Sequence, residues 1–212
     1  YVPQDWPGTL DTDAFRRMAG TAHFAGVAMQ VLKAFAGDDL TWDEAIALAN
    51  EAYIRPPAPG AERDWKRTWP DTVTPLVQVG PGDWVLELFH GPSLSFKDVA
   101  MQLIGPLYEH ALAKRDRRLS VVCATSGDTG GAAVEALKGR ERVDLFVLLP
   151  KGRVSDVQRL FMTGSGASNV HAIEIDGDFD ACQAIVKAIF ADGEFAKRAA
   201  LSGVNSINWA RI

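Results

Sequence analysis

The sequence predicts an α/β protein with an open, mostly parallel sheet, helices on both faces of that sheet, and a helical amino-terminal region. From about residue 73 onward, short apolar runs alternate with helical segments of ten or more residues, which is the periodicity of βαβ units. The runs are nearly continuous instead of alternating with polar residues, as is typical of strands buried on both faces. The predicted strands are Trp84–Phe89, Leu119–Ala124, Val143–Leu149 and Val170–Ile175.

Residues 1–72 form the helical amino-terminal region in this prediction. The spacing Thr41-x-x-Glu44, placed ahead of an apolar helical face, is a capping-box pattern and predicts a helix that continues to about Tyr53. A Pro-rich stretch at 55–60 then marks a connection, so the α/β domain is placed at 73–212. The other helices predicted in the amino-terminal region are Asp13–Met18 and Ala22–Phe35.

Both ends of the sequence read as if they were cut. The first residue is Tyr1 rather than methionine, and the last residues, up to Ile212, carry no terminating signal. We therefore expect the 212 residues to belong to a longer protein and the α/β domain to be incomplete at its carboxyl terminus.

Composition argues against several classes of protein. The 22 basic residues are outnumbered by 27 acidic ones, and no basic tract resembles a nucleic-acid footprint. No apolar stretch approaches the roughly 20 residues that a membrane span needs, and the histidines show no metal-ligand spacing. Cys123 and Cys182 indicate neither a disulfide framework nor a thiolate metal site. We expect a cytoplasmic protein that binds no nucleic acid, no membrane and no metal.

A glycine-rich loop follows the strand predicted to end at Ala124. Its sequence, TSGDTGGAA, runs from Thr125 to Ala133 and leads into a helical pattern. Glycines let the backbone approach a ligand closely, and the N–H groups at a helix start favour an anion such as phosphate or carboxylate. The spacing is neither that of a Walker loop nor that of a dinucleotide fingerprint. A simpler alternative is a helix capped by Ser126 or Asp128.

The segment LFHGPSLSFKDVAMQ, after the first predicted strand, contains a candidate reactive lysine. Lys97 lies in the opening turn of a helix predicted at Ser95–Lys114, where a cation opposes the helix dipole. A lysine amine near apolar neighbours can act as the nucleophile that a Schiff base requires. The alternative is a surface lysine paired with Asp98. His90, at the end of the preceding strand, is a candidate for lining the same site.

Four segments along the chain form a pattern: YVPQDWP at Tyr1–Pro7, HGPSLSFKD at His90–Asp98, TSGDTGGAA at Thr125–Ala133 and VNSINWARI at Val204–Ile212. Taken in order, they resemble threonine synthase, a pyridoxal-phosphate enzyme of the tryptophan-synthase-β fold type (fold type II). Any one of them could occur by chance, whereas their order and approximate spacing make the likeness specific. The chain would correspond to the amino-terminal portion of such an enzyme.

The resemblance implies roles for individual residues. In this family the lysine of the FKD motif holds pyridoxal 5'-phosphate as a Schiff base, so Lys97 takes the catalytic and cofactor-binding role. His90 and Ser93 are expected to line the active site, and the Lys97 amine is expected to face the glycine-rich loop. That loop holds the substrate carboxylate in related enzymes. The substrate-binding residues that it implies are Thr125, Ser126, Gly127, Asp128, Thr129 and Gly130.

The departures from the family pattern are mild. Ser93 and Ser95 stand where relatives read threonine and alanine, and Asp128 favours threonine synthase over dehydratases and cysteine synthases, which have asparagine there. The second glycine-rich loop, which grips the cofactor phosphate in this family, is expected beyond Ile212, and without it the segment would bind the cofactor weakly or not at all. GSGASN at Gly164–Asn169 precedes a predicted strand, so we expect a turn there.

The resemblance implies conversion of O-phospho-L-homoserine and water to L-threonine and phosphate, a lyase reaction of threonine biosynthesis. Lys97 would serve as base and acid on the substrate. A serine or threonine dehydratase of the same fold type is an alternative, and so is a cofactor-free phosphate-binding module. The oligomeric state is left open. The basic residues among which the sequence does not choose for the substrate phosphate are Lys151, Arg153, Arg159 and Arg211.

Overall fold

The structure is a computed structural model, and it describes residues 12–20, 23–54, 69–70 and 72–204. These residues divide into two compact units, one that runs up to Val99 and one that begins at Ala100. The domain boundary expected at residue 72 stays a prediction. The Pro-rich stretch at 55–60 and the motif at Tyr1–Pro7 lie outside the described residues.

The first unit begins with helices, as predicted. The predicted capping box at Thr41 is confirmed: its Oγ1 accepts the N–H of Glu44 at 3.2 Å, and the Glu44 carboxylate accepts the N–H of Thr41 at 2.8 Å. The helix that it starts ends at Tyr53, where the apolar periodicity ends. The helical elements are α1 at Thr12–Ala19, α2 at Phe24–Ala36, a 3-10 turn at Gly37–Asp39 and α3 at Trp42–Tyr53.

A β-hairpin follows, formed by β1 at Leu76–Gly80 and β2 at Asp83–Leu86. The two strands pair antiparallel in a sheet of their own. The prediction of a strand at Trp84–Phe89 within the parallel sheet is therefore wrong. The Pro81-Gly82 turn, with φ of 84° at the glycine, reverses the chain so that β2 pairs with its immediate predecessor.

The second unit is built on a parallel sheet of four strands in the order β5-β4-β3-β6. The central pair, β3 and β4, places Ala124 beside Leu148, so both strands end at the same edge. The strands are β3 at Leu119–Ala124, β4 at Val143–Pro150, β5 at Val170–Ile175 and β6 at Leu201–Gly203. The helices are α4 at Asp98–Lys114, which starts in the first unit, α5 at Asp128–Leu137, α6 at Asp156–Thr163, α7 at Phe179–Ala191 and α8 at Gly193–Arg198. Helix α6 has 8 residues, fewer than the ten or more predicted, because it is capped at Gly164.

Both faces of this sheet are covered, as the continuous apolar runs predicted. On one face, side chains of α4, α5 and α6 pack against β3 and β4 around the fully buried Leu145 and Val147. On the other face, Cys182 and Val186 of α7 pack against Val122 and Leu148. Alternate residues of β4 therefore contribute to two different cores.

A buried asparagine fixes the turn between α5 and β4. The Nδ2 group of Asn169 donates to the carbonyls of Leu137 at 2.9 Å and Val143 at 2.8 Å, and its Oδ1 accepts the N–H of Gly139 at 2.8 Å. The amide thus satisfies backbone groups that would otherwise lose hydrogen bonds on burial. Asn169 ends the segment Gly164–Asn169, which lies between α6 and β5, so the predicted turn is confirmed.

The contact of α4 with α5 gives a stability prediction. A Cβ added at Gly105 would overlap the backbone carbonyl of Ala136, which cannot rotate away. Gly105→Ala is therefore expected to lower the free energy of unfolding by about 1–3 kcal/mol, as overpacked cores do. Chemical denaturation checks this. The control is Gly193→Ala, since a Cβ there meets no atom within 4 Å; a loss of stability in both variants, or in neither, would contradict the prediction.

Candidate active site

Lys97 lies on a tight turn immediately before α4. The predicted start of this helix at Ser95 is wrong by one turn, since α4 begins at Asp98. The Lys97 N–H donates to Oγ of Ser95 at 3.3 Å, and the N–H of Asp98 donates to the Ser95 carbonyl at 3.0 Å. The ammonium of Lys97 lies 4.1 Å from the centroid of the Phe96 ring, which is a cation–π contact. The side chain is half-buried.

Asp98 holds this turn in shape. Its side chain is fully buried, and its two carboxylate oxygens accept the backbone N–H and the hydroxyl of Ser93, both at 2.8 Å. Burial of a carboxylate is costly unless hydrogen bonds replace those to water, and Ser93 supplies two. A Cβ at Gly91 would overlap the Asp98 side chain, so the loop can pass this close only with glycine there.

The same loop contains a strained residue. Leu94 has φ of 60°, in the left-handed region that a leucine rarely adopts. The N–H of Leu94 donates to the carbonyl of Gly91 at 3.0 Å. Leu94 also lies between Ser93 and Asp98, which are joined by hydrogen bonds. Such a conformation persists only where surrounding contacts over-determine it. The chain between Gly91 and Asp98 is therefore held in one shape.

Tyr53 connects the amino-terminal helices to this turn. Its hydroxyl donates to the carbonyl of Val99 at 2.6 Å, and its ring packs edge-on against Phe24 at 4.9 Å and Trp69 at 6.1 Å. Burial raises the pKa of the Tyr53 phenol, so the hydroxyl stays protonated and remains a donor. The sequence contained no signal for this contact, because it joins residues far apart in the chain.

His90 lies at the start of the loop. Its Nε2 lies 2.7 Å from the carboxylate of Glu87, and its ring is tilted against Phe89 with centroids 4.7 Å apart. These contacts fix the ring. Whether His90 and Ser93 line the active site stays a prediction.

The glycine-rich segment of the second unit is mostly helical. The sequence suggested a loop up to Ala133, but α5 begins at Asp128, directly after an amino-terminal cap at Gly127 with φ of 140°. The suggested capping by Ser126 or Asp128 is wrong. The Oγ1 of Thr125 instead accepts the N–H groups of Gly127 and Gly130, both at 2.9 Å. Thr125 is buried, and the side chains of Ser126 and Asp128 are exposed at this edge.

The predicted site residues fall on the two compact units. Lys97, His90 and Ser93 belong to the first, and Thr125–Gly130 belong to the second. The expectation that the amine faces the glycine-rich segment stays a prediction.

Two of the basic candidates for the substrate phosphate already have acidic partners. Lys151 lies 3.3 Å from Asp176, and Arg159 lies 2.7 Å from Glu174, whose hydrogen bond raises the pKa of that guanidinium. Arg153 is exposed in the turn after β4. Arg211 lies outside the described residues, as does the segment 205–212.

Neither a metal site nor a reactive thiol is found in the part of the chain that the structure describes. It contains no group of three or more His, Cys, Asp or Glu side chains placed to hold a metal. Cys123 and Cys182 are buried and unpaired. Burial raises the pKa of Cys123 to about 12 and raises that of Cys182, so neither is a thiolate nucleophile near neutral pH.

No helix within 12–20, 23–54 and 72–204 is long and apolar enough to cross a membrane.

Curated relatives of the chain include threonine synthases, and no protein-family model matches it. The enzyme of Pseudomonas aeruginosa is 55% identical over 142 residues, which are 67% of this chain and 30% of the relative. The enzyme of Eremothecium gossypii is 41% identical over 224 residues, which cover 100% of this chain and 41% of the relative. The chain therefore spans less than half the length of these relatives.

The chain also matches solved structures of threonine synthases. The crystal structure of PLP-bound threonine synthase from Brucella melitensis matches with a TM-score of 0.84 and 48% identity, covering 100% of this chain and 42% of that one. Yeast threonine synthase matches with a TM-score of 0.82 and 36% identity, covering 99% of this chain and 41% of that one. The chain is thus a threonine synthase homologue whose α/β fold corresponds to about two fifths of the full-length enzyme.

Proposed function

We propose that this chain carries the catalytic lysine of a threonine synthase, and that the complete enzyme converts O-phospho-L-homoserine and water to L-threonine and phosphate. The observation that supports this best is the similarity over the full chain to a PLP-bound threonine synthase at 48% identity. Lys97, within the HGPSLSFKD segment, lies on a turn fixed by a buried carboxylate, as a reactive side chain requires.

The residues present fit pyridoxal phosphate. Covalent attachment of an aldehyde needs a primary amine that is reachable but held in place. The half-buried Lys97 side chain extends from a backbone that Ser95, Asp98 and Tyr53 restrain. When bound, the cofactor supplies the electron sink for negative charge at the substrate carbon.

The chain's own residues then bind the substrate and move protons. The N–H groups at the start of α5 hold the substrate carboxylate, in an arrangement that the Thr125 hydroxyl fixes. Nζ of Lys97 takes a proton from Cα and one from Cβ, and it returns one to Cα. The Cγ–O bond breaks, the phosphate leaves with its electron pair, and the proton lost from Cβ is balanced by the proton that Cγ gains. The hydroxyl of water adds at Cβ, and the remaining proton of that water goes to the phosphate.

We further propose Arg153 as a ligand of the substrate phosphate. Residues after β3 and after β4 emerge at the same edge, because the two strands pair in parallel with Ala124 beside Leu148. Gly152, with φ of 66°, turns the chain just before Arg153. Lys151 and Arg159 are each paired with an acid, whereas Arg153 has no acidic partner among the residues that the structure describes. An arginine binds phosphate with two parallel hydrogen bonds.

We also propose a cytoplasmic location. Two buried, unpaired thiols are compatible with a reducing compartment, where disulfides seldom form. Fractionation of cells that express the tagged full protein tests this.

Lys97→Ala in the full protein is expected to abolish the near-visible absorbance of the bound cofactor and to lower phosphate release by about 10²–10⁴-fold or more, since the general base is lost with the attachment point. Mass spectrometry after borohydride reduction should place the cofactor adduct on Lys97 in the wild type. Lys187→Ala, at an exposed position of α7, is the matched control. A colourless wild-type protein, or an adduct on another lysine, would refute the assignment; keto-acid release from serine without phosphate release would indicate a dehydratase.

Ser93→Val and Ser93→Thr form a pair that separates the hydroxyl from the size of the side chain. Valine removes a hydrogen bond to the buried Asp98 carboxylate, whereas threonine keeps it. Loss of a hydrogen bond to a charged group costs about 1.5–3 kcal/mol, so Ser93→Val is expected to lower stability by about this amount and to slow formation of the Lys97 adduct. Thermal denaturation and borohydride trapping over time measure both. Equal behaviour of the two variants would contradict the role given to Asp98.

Arg153→Ala is expected to raise KM for phosphohomoserine about 10–100-fold, because a charge-assisted hydrogen bond to the phosphate is lost. For the same reason, inhibition by inorganic phosphate should become weaker. Lys151→Ala is the control, because Lys151 already pairs with Asp176. Steady-state kinetics decide the matter. An unchanged KM in Arg153→Ala, or a larger effect in Lys151→Ala, would overturn this part of the proposal.

A further inference from the structure

Helix α6 lies across the glycine-rich start of α5. Two side chains one helical turn apart make the contact, Gln158 and the fully buried Met162. A Cβ at Gly130 would lie 2.5 Å from Sδ of Met162, and a Cβ at Gly127 would overlap the side-chain amide of Gln158. The two glycines therefore let α6 approach the segment that the proposed function assigns to substrate binding.

The orientation of the Gln158 amide is fixed by the start of its own helix. Ser155 and Gln158 form a capping box in which Oε1 of Gln158 accepts the N–H of Ser155 at 3.2 Å and its hydroxyl at 3.0 Å. A backbone N–H can only donate, so Oε1 must face Ser155 and Nε2 must point the other way.

The Nε2 group of Gln158 donates to Oδ1 of Asp128 at 2.8 Å. The acceptor is an exposed carboxylate on the first residue of α5. Hydrogen bonds to a charged acceptor are stronger than neutral ones. One amide thus packs against Gly127 and binds the carboxylate of the next residue.

We infer that Gln158 is a positioning residue for the substrate-binding segment, which it holds through Asp128 without touching the substrate. This inference rests on the proposed function. The capping box orients the Gln158 amide, and the bond of this amide to Asp128 holds the start of α5 against α6. The N–H groups that bind the substrate carboxylate therefore keep a fixed direction. Pre-organised groups bind more tightly than groups that must first be ordered.

Gln158→Glu in the full protein tests the inference. Glutamate keeps the capping box, so α6 still begins at the same residue, but its carboxylate repels that of Asp128 instead of donating to it. We expect KM for phosphohomoserine to rise about tenfold or more with kcat changed less, which is the signature of lost binding. Hydrogen exchange of the amides at 126–131, measured without substrate, should become faster.

Two further variants separate positioning from helix stability. Ser155→Ala removes one half of the cap but leaves the Ser155 N–H to orient Gln158, so it should lower thermal stability while KM stays near the wild-type value. In the double variant Gln158→Glu with Asp128→Asn, the asparagine amide can donate to the glutamate. Exchange at 126–131 should therefore return towards the wild-type rate.

Wild-type exchange at 126–131 in Gln158→Glu, or no recovery in the double variant, would overturn the inference. A KM effect in Ser155→Ala as large as that in Gln158→Glu would also overturn it, because helix stability alone would then account for the loss. Failure of the proposed function is recognised separately, by a wild-type protein that releases no phosphate from phosphohomoserine. The exchange measurements still decide whether Gln158 holds the segment.

Discussion

The parallel pairing of β3 with β4 determines where the predicted site segments of the second unit lie. With Ala124 beside Leu148, the glycine-rich segment after β3 and the turn after β4 emerge at one edge of the sheet. Thr125 reinforces the pairing, since its N–H donates to the carbonyl of Leu148 at 3.0 Å while its hydroxyl binds the start of α5. One threonine thus connects the strand ladder to a helix amino terminus, where N–H groups and the helix dipole favour an anion.

The turn that carries Lys97 depends on a different device, a buried charge. Asp98 cannot be buried without partners, and the loop before it supplies the N–H and the hydroxyl of one serine. The strained φ of Leu94 and the glycine at 91 follow from the close approach of this loop to Asp98. Asp98, the aspartate of the FKD motif, therefore has a structural role beside the candidate lysine Lys97.

Helix α6 begins with a local capping motif, and a side chain of that motif also makes a contact across the fold. Ser155-x-x-Gln158 is sufficient to start a helix. The side-chain oxygen of Gln158 is used in that cap, so the nitrogen is left to bind Asp128. Met162, one turn later, sets the distance at which the two helices pack.

Features that depend on neighbours in sequence were predictable. The bounds of β3 and β5 match the apolar runs, and the Thr41 capping box forms as its spacing predicts, because local hydrogen bonds and side-chain periodicity are properties of short segments. The Pro81-Gly82 turn and the Ser155-x-x-Gln158 spacing were equally local signals of the hairpin and of α6, and they were overlooked.

Contacts between distant residues were not predictable. The sequence alone predicted Lys97 and the glycine-rich segment as site residues and supported the family resemblance, because all three depend on short motifs. Only the tertiary structure assigned the capping role to Thr125, buried Asp98 against Ser93, joined Tyr53 to Val99 and brought Gln158 to Asp128. The reason is physical: a hydrogen bond across the fold depends on the packing of whole helices and strands, which no single segment specifies.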